Sequence, residues 1–135
     1  MSFETWPVLS DDELQDLAHR FLNTQREFDG AAEFGATDVY GELHNVRYYR
    51  PEQFWRLLGY LLDFAEDDGD LESIGCGSLE DAVVWGLPID VGFLEQFVKE
   101  HPNAILALQC VWAWNAPNGK VVEEVLSRRG LGPIP

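Results

Sequence analysis

Ten carboxylates lie between Arg56 and Lys99 with no basic residue among them: Asp63, Glu66, Asp67, Asp68, Asp70, Glu72, Glu80, Asp81, Asp90 and Glu95. Side chains of one sign at that density can hold a hard cation, share a proton as an acid–base pair, or meet a cationic partner. A calcium loop asks for alternating oxygen ligands, a central glycine and a closing glutamate. Placing Gly69 at the centre puts Phe64 first and Gly75 last. Placing Gly75 there puts Ile74 at a ligand position and Asp81 at the close. Neither register fits, so no metal site and no cofactor are expected.

Nucleophilic chemistry is no better served. His19, His44 and His101 stand alone in sequence, without the spacing that holds zinc. Cys76 is the one plausible nucleophile, because it precedes an expected helix start, where a thiolate is favoured. Its acidic and apolar neighbours work against that thiolate. Gly75 and Gly77 read as a tight turn. No catalytic residue is assigned, and the chain is read as a non-enzyme.

Charge then decides the class of partner. Against 24 Asp and Glu there are 9 Lys and Arg, a formal charge of −15 over 135 residues. Phosphate backbones and anionic membranes are bound by cationic side chains, so neither nucleic acid nor a membrane surface is expected as a partner. Arg47-Tyr48-Tyr49-Arg50 carries too few charges to change that. A basic protein surface remains. The residues expected to meet it are Asp63, Glu66, Asp67, Asp68, Asp70, Glu72, Glu80, Asp81 and, as an aromatic anchor, Trp85. Trp55, Trp112 and Trp114 sit on apolar segments and are expected in the core. The N-terminal residues show no secretory pattern, and Ala104 to Trp114 is shorter than the about 20 residues that cross a membrane. Cys76 and Cys110 read as buried, reduced thiols, which suits the cytoplasm.

The elements that must position these residues are helical. Ser10 and Glu13 form a capping box ahead of Leu14, Leu17, Ala18, Phe21 and Leu22, an apolar stripe ending near Asp29-Gly30. Pro51 opens a second helix carrying Phe54, Leu57, Leu58 and Leu61. After a short turn at 71–74, Ser78 is expected to cap a third helix through Trp85. Asp90 caps a fourth, the apolar run 104–114 forms a fifth, and Lys120 to Arg129 a sixth, stopped by Gly130. Residues 31–50, broken by Gly35, Gly41 and Asn45, show no sustained period. They are expected to be an ordered but irregular excursion. The fold expected is an all-α single-domain bundle of about six helices over residues 1–135.

Ile74-Gly75-Cys76-Gly77-Ser78-Leu79-Glu80-Asp81 resembles the glycine-rich, Leu-Glu-Asp-ended box of a small uncharacterised bacterial helical domain family. The matching positions are Trp55, Leu79, Glu80, Asp81, Glu95, Pro102 and Trp112, with Ser78 where that pattern has proline. The resemblance implies a helical fold and supplies no established activity. In charge and size the chain is also similar to the immunity proteins of bacterial polymorphic toxin systems. That likeness implies a protein that neutralises a cognate toxin, such as a nuclease, by covering its cationic active site. An adaptor or DNA-mimic module on a basic protein surface is the alternative, and a small enzyme using Cys76 stands third. The oligomeric state is left open.

Overall fold

The structure, a computed structural model, describes residues 7–27, 34–112 and 116–132. These residues are all-α, with no strand among them. The chain forms two compact units, Met1–Glu66 and Asp67–Pro135.

The first unit holds α1 (Asp11–Glu27), α2 (Phe34–Tyr49) and α3 (Pro51–Phe64), each packed on the other two. The capping box forms: the Glu13 amide donates to Ser10 Oγ and the Ser10 amide to Glu13 Oε1, at 3.1 and 3.0 Å. Leu14, Ala18 and Leu22 of α1 and Leu57, Leu58 and Leu61 of α3 are buried. Gln53, also buried, ties down the chain ahead of α1. Its side chain accepts from the Leu9 amide and donates to the Leu9 carbonyl, at 3.0 and 2.8 Å.

The irregular excursion expected at 31–50 is corrected by α2, which occupies Phe34–Tyr49; residues 31–33 lie outside the described residues. Glycine and asparagine lower intrinsic helix propensity, and that weakened the pattern. Tertiary packing supplies what propensity lacks, because Val39, Leu43 and Val46 share one face and are buried. Arg20 of α1 further grips both carboxylate oxygens of Glu42.

The second unit begins with one continuous helical stretch, 68–85. It is α4 (Asp68–Ile74), a π-helical turn (Gly75–Leu79) and α5 (Glu80–Trp85) in succession. Asp67 caps it, its Oδ1 accepting the Asp70 amide at 2.9 Å. Three further helices follow: α6 (Val91–Glu100), α7 (Ala104–Gln109) and α8 (Pro117–Ser127). The first half of the long stretch packs on α7 and the second half on α8, while α6 packs on both. Asp90 caps α6 as expected, accepting from the Phe93 amide at 2.7 Å. Gly130 ends α8 at φ 68°, with the Leu131 amide reaching back to Leu126 O and the Gly130 amide to Ser127 O.

Four expectations about this unit are corrected. The turn at 71–74 is helix, and Ser78 caps nothing: it is buried inside the π-turn. The run 104–114 is helical only to Gln109, with residues 113–115 outside the description. The last helix starts at Pro117 rather than Lys120, using proline at its first turn.

The π-turn has a physical cause. An α-helix advances about 100° per residue. Leu71 and Ile74 set the buried face of α4. Continued without interruption, that phase turns Leu79 and Val83 outward and brings Trp85 inward. One extra residue in a wider turn rotates the remainder back. Leu79, Ala82 and Val83 are thereby buried, and Trp85 is 69% exposed.

Gly75 lies at the close approach to α7. A Cβ there would stand 2.2 Å from Ala107 O and 2.8 Å from Cys110 Cβ, whereas one at Gly77 meets nothing within 4 Å. Gly75→Ala is therefore expected to destabilise the chain by about 1–3 kcal/mol or more through overpacking. Gly77→Ala should stabilise it by about 0.5–1 kcal/mol by removing glycine from a helix. Urea unfolding of the two variants checks the opposed signs.

Candidate functional site

The outward face of the 68–85 stretch gathers most of the expected partner-binding residues. Asp68, Glu72, Cys76, Glu80 and Val84 recur every fourth residue along one edge, and Asp81 and Trp85 lie beside them. Asp68, Glu72, Asp81 and Trp85 are exposed. No basic residue stands on the stretch. Over residues 67–135 four Lys and Arg face eleven Asp and Glu.

Other acids have structural work. Asp70 is 7% exposed, so it is corrected from partner contact to buried residue. It faces inward with Leu71 and Ile74, on the side of the helix opposite Asp68. Asp67 is exposed and serves as the α4 cap. Glu80, half-buried, accepts the Trp112 amide at 2.8 Å and so fixes the chain leaving α7. In the first unit, Asp63 is exposed near the end of α3, and Glu66 lies 3.3 Å from Arg26.

Trp112 corrects the expectation of a core residue, being 70% exposed. It follows the end of α7, so the helical reading of 104–114 hid it. Trp55 is half-buried, and Trp6 and Trp114 lie outside the described residues. Val84 and Leu87, at 38% and 52%, add exposed apolar surface around Trp85. Asn118 holds the loop after Trp85 in place. Buried at the start of α8, it accepts from the Ile89 amide and donates to the Leu87 carbonyl, both at 3.0 Å. Both halves of its amide are satisfied, as a buried polar group requires. An asparagine next to a proline carries no distinctive sequence signal for that role.

The expectation of two buried thiols holds for Cys110 alone, since Cys76 is exposed. Cys76 lies on the outward edge and donates to the Cys110 carbonyl at 3.5 Å. Burial, then the neighbouring Cys76 thiol and Glu72 carboxylate, push the Cys110 thiol above its ordinary range. The histidines pack on aromatic rings: His19 stacks on Phe64 at 3.9 Å, and His101 meets Phe97 at 4.9 Å. Among the described residues no three His, Cys, Asp or Glu side chains are placed to hold a metal ion, and no helix is long and apolar enough to cross a membrane.

The scarce bases are used to pin helices. Arg129 clamps Glu95 of α6 with two bonds, at 2.8 and 2.9 Å, and donates to Val125 O. An open groove of about 580 Å³ runs past this pair, lined by α6, by Pro102 and Ile105, and by Arg129.

Comparisons with protein-family models, with curated proteins and with solved structures each find no match for the chain.

Two outcomes follow from this geometry. Trp85→Ala should change stability by no more than about 0.5 kcal/mol. Leu79→Ala, six residues earlier and fully buried, should cost about 2–5 kcal/mol; urea midpoints decide both. The Arg129 guanidinium holds Glu95 below the usual carboxylate range, mainly by direct hydrogen bonding. A carboxylate depressed in the folded state stabilises above its unfolded pKa, and that contribution is lost as pH falls through the folded value. Glu95→Gln should therefore flatten stability across the acid range below about pH 4.3 while leaving its shape near neutrality unchanged. Denaturant midpoints measured from neutral to acid pH check it.

Proposed function

We propose that this protein docks on a basic enzyme and neutralises it by covering its cationic cleft, as an immunity protein does with a cognate bacterial toxin such as a nuclease. The observation that carries the reading is the outward face of the 68–85 stretch, where Asp68, Glu72 and Asp81 stand with exposed Trp85 and no base. Long-range attraction from such a face speeds encounter with a positively charged cleft. Tryptophan adds a large apolar contact, and exposed tryptophan is a recurrent interface anchor. The two contributions separate kinetically, because charge acts mainly on association and a buried anchor mainly on dissociation. On this reading the site of action is the cytoplasm, and the chain itself performs no catalysis.

Self-repulsion among like charges works against a compact state. A basic partner relieves it, so binding should also stabilise the acidic protein. That links the charge imbalance to a use without requiring any reaction.

The test is a comparison of wild type with a variant carrying Glu72→Gln, Asp81→Asn and Trp85→Ala, each used as bait in cells that lack the native protein. The expected result is one basic enzyme held in one-to-one ratio by wild type through moderate salt and released by the variant. That enzyme, purified, should be inhibited by wild type with an association rate that falls as salt rises. Trp85→Ala alone should weaken binding by about 30-fold, the effect of a 2 kcal/mol hot spot. Equal retention by wild type and variant, or capture only of abundant basic proteins that wash off at moderate salt, contradicts the proposal.

A further inference from the structure

The close approach that Gly75 permits has a second consequence, one that does not depend on any docking partner. It places the only two cysteines of the chain together across two packed elements. Cys76 stands in the π-turn with its sulfur 3.5 Å from the Cys110 carbonyl oxygen. A Cβ on the preceding residue would lie 2.8 Å from Cys110 Cβ. Both residues are free thiols, one exposed and one buried. An exposed thiol with a second thiol beside it is the spatial arrangement in which a sensor cysteine meets a resolving one.

We propose that Cys76 and Cys110 are a redox pair that closes a disulfide between the π-turn and the end of α7 when a hydroperoxide reaches the exposed thiol. The Cys76 sulfur attacks the distal peroxide oxygen and breaks the O–O bond. Cys76 becomes a sulfenic acid and an alcohol leaves, or water when the oxidant is hydrogen peroxide. The Cys110 sulfur then displaces hydroxide from the sulfenic sulfur. The hydroxide departs as water with the Cys110 proton, and the S–S bond forms. Two thiols lose two electrons in all, and the peroxide O–O bond receives them. Burial of Cys110 confines it to the second step, since solvent oxidant meets Cys76 first.

The bond would link positions 34 apart in sequence, within the second unit. Closing a loop of that size restricts the unfolded chain, so oxidation should raise Tm by several degrees. It would also tie down the chain two residues before Trp112, whose amide is already held by Glu80.

Hydrogen peroxide applied to the native full-length chain tests this, with non-reducing peptide mapping and thermal melts as readouts. The expected result is a monomer that loses both thiols together, yields one peptide pair joined at Cys76 and Cys110, melts higher, and reverts with dithiothreitol. Cys76→Ser, at an exposed position, should keep its fold by circular dichroism and leave the Cys110 thiol intact at the same dose. Four results would each overturn the proposal: no thiol loss, over-oxidation of Cys76 with Cys110 still free, chains crosslinked through Cys76, or equal loss of Cys110 in the Cys76→Ser variant.

Discussion

The second unit depends on the phase of one helix. Leu71, Ile74, Leu79, Ala82 and Val83 must all reach a common interior, yet their spacing does not fit an uninterrupted α-helix. The mismatch leaves two choices: expose Leu79 and Val83, or insert one residue. Burying a leucine or valine side chain gives about 1.5–3 kcal/mol, more than a single widened turn need cost. The π-turn at Gly75–Leu79 is that insertion. Its effect reaches beyond the core, because the rotation that brings Leu79 in also turns Trp85 out.

Within each unit, buried and half-buried amide side chains hold segments in place. Asn118 fixes the loop after α5, Gln109 donates to Gly132 O at 3.0 Å, and Gln53 does the same service for Leu9 in the first unit. The arginines join helices: Arg20 to Glu42, Arg56 to Asp11, Arg129 to Glu95. In the second unit, Lys and Arg fall on α6, on α8 and on the two residues after it, and none stands on 68–85. Exposed ion pairs of this kind contribute little singly, so cohesion comes from the buried leucines and valines. A core of that kind tolerates an unbalanced surface.

Much of this was legible beforehand. Ser10, Glu13, Asp90 and Gly130 are local signals, because a cap or a helix stop is decided by a few adjacent residues, and each acts as its chemistry suggests. The all-α class followed from apolar spacing. What stayed hidden was decided by contacts distant in sequence. α2 is held by α1 and α3 despite its glycines. Gly75 is required by Ala107, not by a turn of its own. Asp70 reads as one more acid in a run until the helix phase sends it inward. Trp112 reads as core as long as the apolar run is taken for a helix. On the candidate face composition disclosed the charge, but with 71–74 read as a turn the periods of α4 and α5 were not joined into one side. The extra residue joining those two periods is invisible to either alone.

Deletion of Gly77 tests the central claim most directly. If the π-turn exists only to restore phase, removing one residue should convert 68–84 of the shortened chain into plain α-helix with the same faces. Urea unfolding should then show a cooperative chain at least as stable as wild type. Acrylamide should quench the fluorescence of the tryptophan at the original position 85 as efficiently as before. A deletion that unfolds the chain, or that shields this tryptophan and exposes the leucine of position 79, would contradict the claim that phase alone set the turn.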